Sequence, residues 1–347
     1  MVEGAEGLEV RRGMVGAGRR LVSFQFPFSS FRLKAGQGMA RPLRQVFPLA
    51  FAALLGILAR PCALRATDLE PRTLEAFERY VHAVDARAAR QQDDPGHFLY
   101  IDTLPESDRR LAWATIERGE VWVDSPNTRD AAARSLRAPG GLINHWVGAA
   151  FIPGVSLAQV LAVLEDYDHY QDIYKPQFVR SRLVSREGND FKTFLRLRKK
   201  TPWVTVTLNI NSETLGTPLD GGRASLRSHS TRIAQVEAAD TPHEHEFAPG
   251  HDSGYLWRFE TYWRLEARPG GVAAEWEAIM LSRDIPRLLR WIVKPFVERL
   301  ARSTVQDMLV ATRKAAQNQK PLAQIAPPEA ARNQKPLAQI APPEASE

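Results

Sequence analysis

Apolar and polar residues alternate along several stretches in the second half of the chain. Residues 204–210, 255–265 and 274–280 place apolar side chains at every second position, with polar or charged ones between them. This period of two predicts β-strands that are apolar on one face and charged on the other. Residues 191–200 and 223–236 alternate more weakly and predict further strands. We therefore expect an antiparallel sheet with one face in the core and the other in water.

Three segments instead follow the helical period of three to four residues. Residues 69–84 predict an amphipathic helix, and residues 155–164 predict a short helix directly after a strand. The strongest pattern is 285–309, with Asp284 as the expected N-cap and Pro295 as the expected site of a kink or break. A long helix with one apolar side after a run of strands predicts that it lies across the apolar face of the sheet.

The chain divides by composition, and its N-terminal part has the form of an export signal. The basic residues Arg41 and Arg44 precede an apolar run at 46–58 that is short for a membrane span and suits a signal peptide. The sequence 318–330 recurs identically at 333–345, in a Pro-, Ala- and Gln-rich tail. Five segments are expected: 1–38, a mis-assigned start, disordered; 39–66, a signal peptide or uncleaved anchor; 67–141, a helical extension and linker; 142–316, the main domain; 317–347, a disordered duplicated tail. We thus expect an exported protein, periplasmic or extracellular, or tethered by its uncleaved signal.

Charge and cysteine content exclude several functions. The 347 residues carry a formal net charge of +6, but residues 1–66 hold 10 of the 46 Lys and Arg and only 3 of the 40 Asp and Glu. The remainder is almost neutral, which removes the electrostatic argument for nucleic-acid binding. The single cysteine, Cys62, lies in the signal segment, so disulfides, thiolate metal sites and a cysteine nucleophile are excluded from the mature chain.

Ser156 is a candidate nucleophile that we interpret differently. It lies in Gly154-Val-Ser-Leu-Ala158, which resembles the Gly-x-Ser-x-Gly elbow of hydrolases but has Ala158 at the second glycine. Ser156 and Gln159 also fit the Ser-x-x-Gln capping box at the start of a helix. We expect a helix cap and predict no catalytic residue.

Two further clusters each allow two interpretations. His243, His245 and His251 lie near several carboxylates and suit either a metal site or a solvated loop, and we favour the loop. The basic run 196–200 suits either contact with anionic lipid headgroups or a solvated strand face, with the second favoured. The sequence therefore predicts no metal and no cofactor, and leaves contact with a membrane surface open.

The order of elements in residues 142–315 resembles the START-like (helix-grip, SRPBCC) superfamily, particularly domains of the polyketide cyclase/dehydrase and coenzyme Q-binding type. The resemblance is carried by a strand ending in Ile152-Pro-Gly154, the helix 155–164, Asp166-Tyr-Asp-His-Tyr170, Tyr174-Lys-Pro176, the stretch 178–184, and the long helix after Arg283-Asp-Ile-Pro286. It implies an α+β fold in which a curved antiparallel sheet wraps around a long C-terminal helix. Here a small, mainly helical extension precedes that domain. The family shares no catalytic residues, so none is transferred.

The resemblance implies a cavity between sheet and helix for a lipid, quinone, sterol or polyketide-like molecule. Its expected lining is Leu195, Leu197, Val206, Leu208, Phe259, Trp263, Trp276, Met280, Ile292 and Phe296. The first hypothesis is a non-catalytic carrier or sensor in the cell envelope. The second is an aromatase/cyclase-like enzyme acting in the same pocket, for which Arg258 or His229 would point inward if the strand register were shifted by one. The third is an envelope interaction protein with a filled core. Oligomeric state and ligand identity are left open.

Overall fold

Nine strands and five α-helices form the part of the chain described by the computed structural model, residues 69–126, 136–200, 205–220, 222–285 and 290–319. Within 290–319, only the backbone is described at 290, 292–294 and 296. The helices are α1 (Pro71–Asp93), α2 (Glu106–Glu117), α3 (Leu157–Leu164), α4 (Tyr170–Ile173) and α5 (Arg290–Asn318). The strands are β1 (Trp122–Asp124), β2 (Gly141–Pro153), β3 (Phe178–Glu187), β4 (Asp190–Lys200), β5 (Thr205–Leu219), β6 (Arg223–Glu237), β7 (His245–Glu246), β8 (Arg258–Arg268) and β9 (Gly271–Arg283).

The strands form one antiparallel sheet in the order β1-β2-β9-β8-β6-β5-β4-β3, and β7 pairs with β6. The first long strand, β2, pairs with the last, β9, along its whole length, with Gly148 opposite Trp276. Register shifts between β3 and β4 and between β5 and β6 mark bulges, which increase bending and twist. The sheet therefore curves, and its concave inner face and convex outer face are covered by different parts of the chain.

The inner face is covered by α5, as the sequence predicts. Val305, Met308 and Leu309 of this helix pack into the main core together with residues of β2, β8 and β9. The approach is closest at Gly148, where an added Cβ would collide with Val305 and lie 2.9 Å from Leu309 Cδ1. A glycine at this position lets the helix settle on the sheet. Pro295 does not divide the helix into two.

The outer face is the main correction to the sequence analysis. We expected it to face water, but over β2, β8 and β9 it is covered by the N-terminal extension. Phe77, Tyr80, Val81 and Val84 of α1 pack against Trp257, Tyr262, Ile279 and Leu281, and a second cluster joins Phe98, Leu99, Ile101, Ala112 and Ile116 to Ala149 and Ala273. Outward-facing side chains of β3 and β4, such as Arg180, Arg182 and Lys192, do remain exposed.

The charged residues beneath this extension form a buried ionic network. Arg264 is 2% exposed and Glu275 and Glu277 are fully buried. Arg264 Nε donates to Glu275 Oε1 at 2.7 Å, and its Nη2 donates to Glu277. The backbone N–H groups of Tyr100 and Ile101 donate to Glu275 at 2.9 and 3.2 Å, which ties the extension to the sheet. Alternation correctly predicted that these polar residues lie on the outer face of the sheet, but it could not show that the N-terminal extension covers them.

A histidine extends the network on the side of α1. His145 Nε2 lies 2.5 Å from Glu277 Oε1, and its Nδ1 lies 2.8 Å from the Tyr80 hydroxyl. Arg87 of α1 also donates to Glu277. Burial raises the pKa of Glu277, but Arg264 and Arg87 outweigh it and hold that pKa well below the usual range. Burial lowers the pKa of His145, with Glu277 opposing.

The remaining predictions concern the ends of the chain. The expected leader, the signal segment 39–66 and the repeat that begins at 318 fall almost entirely outside the described residues. The predicted helix at 69–84 is present and longer, as α1. No helix within the described residues is long and apolar enough to cross a membrane.

Candidate ligand-binding site

Two apolar clusters divide the inner face of the sheet. The first, the inner core, lies beneath the C-terminal half of α5 and includes Val160 and Leu164 of α3, Val305 and Leu309 of α5, and residues of β2, β4, β8 and β9. The second, the strand cluster, consists of Val206, Leu208, Ile210, Ile233 and Leu256, with Leu197, Phe259 and Met280 packed against it. Every described member of the strand cluster comes from a strand or from the segment just before β8.

Three of the ten predicted lining residues belong to the inner core. Leu195, Trp263 and Trp276 are 8%, 7% and 5% exposed. Trp263 and Trp276 are cross-strand partners with ring centroids 6.0 Å apart. These side chains are packed among other core residues, so they form the base of the interior.

Five other predicted residues lie in or against the strand cluster. Val206 and Leu208 are buried, whereas Leu197, Phe259 and Met280 face inward but are only partly buried. Phe259 and Met280 are paired across β8 and β9, and Leu197 pairs with Leu208. Inward-facing apolar side chains that keep accessible surface are the type of wall that a ligand pocket requires. Ile292 and Phe296 lie on α5, but their side chains fall outside the description.

Sequence reasoning missed one polar group on this face. Lys199 follows Leu195 and Leu197 at every second position of β4, so it points to the same side, toward α5. Its Nζ donates to Gln177 Oε1 at 3.0 Å and to Thr304 Oγ1 of α5 at 3.2 Å. Burial lowers the pKa of Lys199, with Asp307 opposing. The sequence pattern shows 196–200 as a single basic run. In a strand, successive residues lie on opposite faces of the sheet, so the members of this run do not share one face.

Two outward members of that basic run, Arg196 and Arg198, have acidic partners. Arg196 is 3% exposed and donates to Glu244 at 2.6 and 3.0 Å and to Asn209 Oδ1 at 2.8 Å. Arg198 pairs with Asp240. Glu244 and Asp240 belong to the loop after β6, which therefore neutralises the charges of Arg196 and Arg198.

Arg258 and His229 lie on the outer face of the sheet. Both line a groove beside α1, opposite the inner clusters. The assumed register is correct, and neither residue supplies chemistry to the inner face.

Ser156 is the helix cap that the sequence predicts. Its N–H donates to Gln159 Oε1 at 2.9 Å, and the Gln159 N–H donates to Ser156 Oγ at 3.3 Å. Both donors at the start of α3 are satisfied in this way. The serine therefore caps the start of a helix.

The histidine-rich segment forms an exposed turn and the short strand β7. His245 Nε2 lies 3.2 Å from Glu237 Oε2, and its Nδ1 lies 3.2 Å from the His243 carbonyl oxygen. Among the described residues, no group of three or more His, Cys, Asp or Glu side chains converges on a point where a metal ion could bind.

Comparison with known proteins finds similarity in structure alone. No family model matches the chain, and no curated protein matches it in sequence. A STAR-related lipid transfer protein from Xanthomonas axonopodis is 15% identical, with a TM-score of 0.37, over 52% of this chain and 96% of its own. Zhui aromatase/cyclase from Streptomyces sp. R1128 is 12% identical, with a TM-score of 0.36, over 53% and 99%. Human STARD10 is 12% identical, with a TM-score of 0.35, over 62% and 80%.

The topology itself defines the fold. A long strand, two short helices, a run of antiparallel strands and a long C-terminal helix on the concave face follow one another, and the first and last long strands pair. This is the α+β helix-grip fold of START-like proteins, as the sequence predicts. The added feature is the N-terminal extension over the convex face.

Proposed function

We propose that this protein binds an apolar small molecule, a lipid, quinone, sterol or polyketide-like compound, between the strand cluster and α5. It acts there as a non-catalytic carrier or sensor, and we place it in the cell envelope because of the signal-like segment at 39–66. The observation that carries the proposal is the set of inward-facing, partly accessible apolar side chains Leu197, Phe259 and Met280 above the strand cluster.

Burial alone is sufficient to hold such a ligand. Removing apolar surface from water contributes about 25 cal/mol per Å². Covering roughly 200 Å² of ligand surface would thus contribute about 5 kcal/mol before the cost of association. A wall of aliphatic and aromatic side chains supplies this energy without a charged partner.

The position of Lys199 bears on the choice between carrier and enzyme. Its amine is engaged by Gln177 and Thr304, so it joins β4 to α5 at the edge of the interior. Such a contact is expected of a residue whose role is to hold β4 and α5 together. The enzyme hypothesis requires a polar group free to meet a substrate, and this geometry does not favour Lys199 for that role.

Native mass spectrometry of the purified protein, with organic extraction of any bound molecule, tests the proposal directly. We expect a co-purified apolar compound of defined mass. If none is found, binding of the apolar fluorophore 1-anilinonaphthalene-8-sulfonate is measured next. A protein that carries no ligand and binds no fluorophore would refute the proposal and support the filled-core interaction protein.

A matched pair of variants locates the site. Met280→Trp adds bulk to the inward wall, and we expect it to weaken binding about tenfold, a loss of about 1.4 kcal/mol. Leu215→Trp changes a β5 side chain that is 56% exposed and should leave binding unchanged. Equal binding by the two variants would place the ligand elsewhere.

A further inference from the structure

A groove lies on the outer side of the sheet, opposite the proposed apolar pocket. It runs between α1 and strands β6 and β8 and has a volume of about 430 Å³. Its walls include Leu74, Phe77 and Val81 of α1 and Arg227, Arg258 and Glu260 of the sheet. This volume is within the usual range of small-molecule sites, roughly 300–1,000 Å³.

One wall of the groove is apolar. Leu74, Phe77 and Val81 follow one another at helical spacing, so they share one face of α1. Phe77 and Val81 are buried, and Leu74 is partly buried. The groove therefore has an apolar side, of which Leu74 is the most accessible member.

Two of the charges in the groove, one on α1 and one on β6, neutralise each other. Arg227 Nε and Nη2 donate to the two carboxylate oxygens of Asp85 at 2.8 and 3.1 Å. The Tyr262 hydroxyl also donates to Asp85, at 2.8 Å. This bidentate pair holds α1 to the sheet and leaves Asp85 and Arg227 little capacity for a ligand.

Glu260 is different, because part of its carboxylate is buried without a hydrogen bond. The residue is 6% exposed, and its Oε2 accepts no hydrogen bond from any described group. The nearest cation, Arg227 Nη2, is 3.3 Å from that oxygen but is not aligned for a hydrogen bond. Burial raises the pKa of Glu260 to about 7, with Arg227 opposing. The Glu260 carboxylate therefore lacks a full set of hydrogen-bond donors, and a ligand's N–H groups would supply them.

Arg258 provides the complementary charge. It lies two residues before Glu260 on the same face of β8, roughly 6.6 Å along the strand. Its Nη1 donates to the Trp257 carbonyl oxygen at 2.9 Å, and it forms no ion pair with any described residue. Among the described residues, the groove thus presents side by side a guanidinium that forms no close ion pair and a carboxylate with an incomplete set of donors.

We propose that this groove is a second ligand site, for a small zwitterion with an apolar side chain, such as an aromatic or aliphatic amino acid. The ligand's ammonium donates to the Glu260 carboxylate, its carboxylate accepts from the Arg258 guanidinium, and its side chain lies on Leu74, Phe77 and Val81. The site goes beyond the proposed carrier function, and it exists only because α1 covers the outer face of β6 and β8.

Isothermal titration calorimetry with three matched compounds tests the proposal. L-Phenylalanine carries both charges, phenethylamine carries only the cation, and 3-phenylpropanoate carries only the anion. We work at about pH 8, where a carboxyl of raised pKa is mostly ionised. L-Phenylalanine should bind about tenfold tighter than either analogue. Equal or tighter binding of one analogue would mean a purely cationic or anionic site, and no saturable binding of L-phenylalanine would also overturn the proposal.

Two variants assign the charges to residues. Glu260→Gln should reduce the affinity for L-phenylalanine to that for 3-phenylpropanoate and leave 3-phenylpropanoate binding unchanged. Arg258→Met should instead reduce it to the affinity for phenethylamine. The control is Glu187→Gln, an exposed glutamate on β3. If Glu260→Gln and Arg258→Met both bind L-phenylalanine as the control does, the assignment is wrong. None of these substitutions touches the inner face, so apolar ligand binding there is measured independently.

Discussion

The buried ionic network under the N-terminal extension allows a quantitative test of the fold. Arg264 bridges Glu275 and Glu277, and all three side chains are at most 3% exposed. Glu277 has Arg87 and His145 as further partners, but Glu275 has Arg264 as its one described cation. Replacing Arg264 by Met keeps much of the volume and removes the charge.

The expected cost follows from leaving Glu275 buried and unpaired. Removing one partner of a buried ion pair destabilises a protein by roughly 3–5 kcal/mol. For a domain of this size, each kcal/mol lowers the melting temperature by about 2–4 °C, so Arg264→Met should lower it by roughly 6–20 °C. Lys192→Met on β4 is the control, since Lys192 is 56% exposed and pairs at the surface with Glu213, which is 39% exposed. Such pairs contribute about 0–1 kcal/mol.

The pH dependence provides a second measure. Burial already raises the pKa of Glu275, with Arg264 opposing, and loss of Arg264 raises it further. A carboxyl with a raised pKa in the folded state destabilises the protein only above its pKa in the unfolded state, about 4.3. The deficit of Arg264→Met should therefore be larger at about pH 8 than at about pH 5. Adding Glu275→Gln should recover part of it.

Thermal and urea unfolding followed by far-UV circular dichroism measure these differences. If Arg264→Met melts within error of Lys192→Met, the buried charges are not coupled as described. A deficit that is constant with pH would equally contradict the role assigned to Glu275.

Three further outcomes follow from single contacts. Ser156→Ala should lower the free energy of unfolding by about 0.5–2 kcal/mol through loss of the capping box and leave ligand binding intact; loss of ligand binding would instead indicate a functional role for this serine. Gly148→Ala should cost about 1–3 kcal/mol because the new Cβ collides with α5, and an unchanged melting temperature would show that the helix can move. Glu260→Gln should become more stabilising relative to the native protein as pH rises from about 4.3 to about 7 and should then level off, because over that range the carboxyl ionises freely in the unfolded chain but not in its buried site; a flat difference from pH 5 to about 8 would contradict the raised pKa.

Much of the fold could be predicted from local pattern. The alternation in 255–265 and 274–280 correctly identified β8 and β9 and their inward faces, because a strand places successive side chains on opposite sides. The capping box at Ser156 was also readable, since its partners are three residues apart. The helix α5 was predicted because its apolar residues recur along one side.

The candidate site could be predicted from the sequence only in part. Alternation places Trp263, Trp276, Phe259 and Met280 on one face, but it cannot separate packed core from accessible wall. That division depends on how far α5 extends over the curved sheet and where Gly148 lets it approach. Both features depend on contacts between segments that are far apart in the sequence, so local alternation does not determine them.

The charged outer face shows most clearly what tertiary structure alone decided. Glu275 and Glu277 alternate with apolar residues as any solvated glutamates would. A carboxylate must be paired with water or with protein hydrogen-bond donors and cations. The local sequence shows that such a partner is required, but not whether it is water or protein. Here Arg264 and the backbone of the N-terminal extension meet it, from positions up to 175 residues away. The sequence determined which side chains are polar, and the packing of α1 and its following turns on the sheet decided that they are buried.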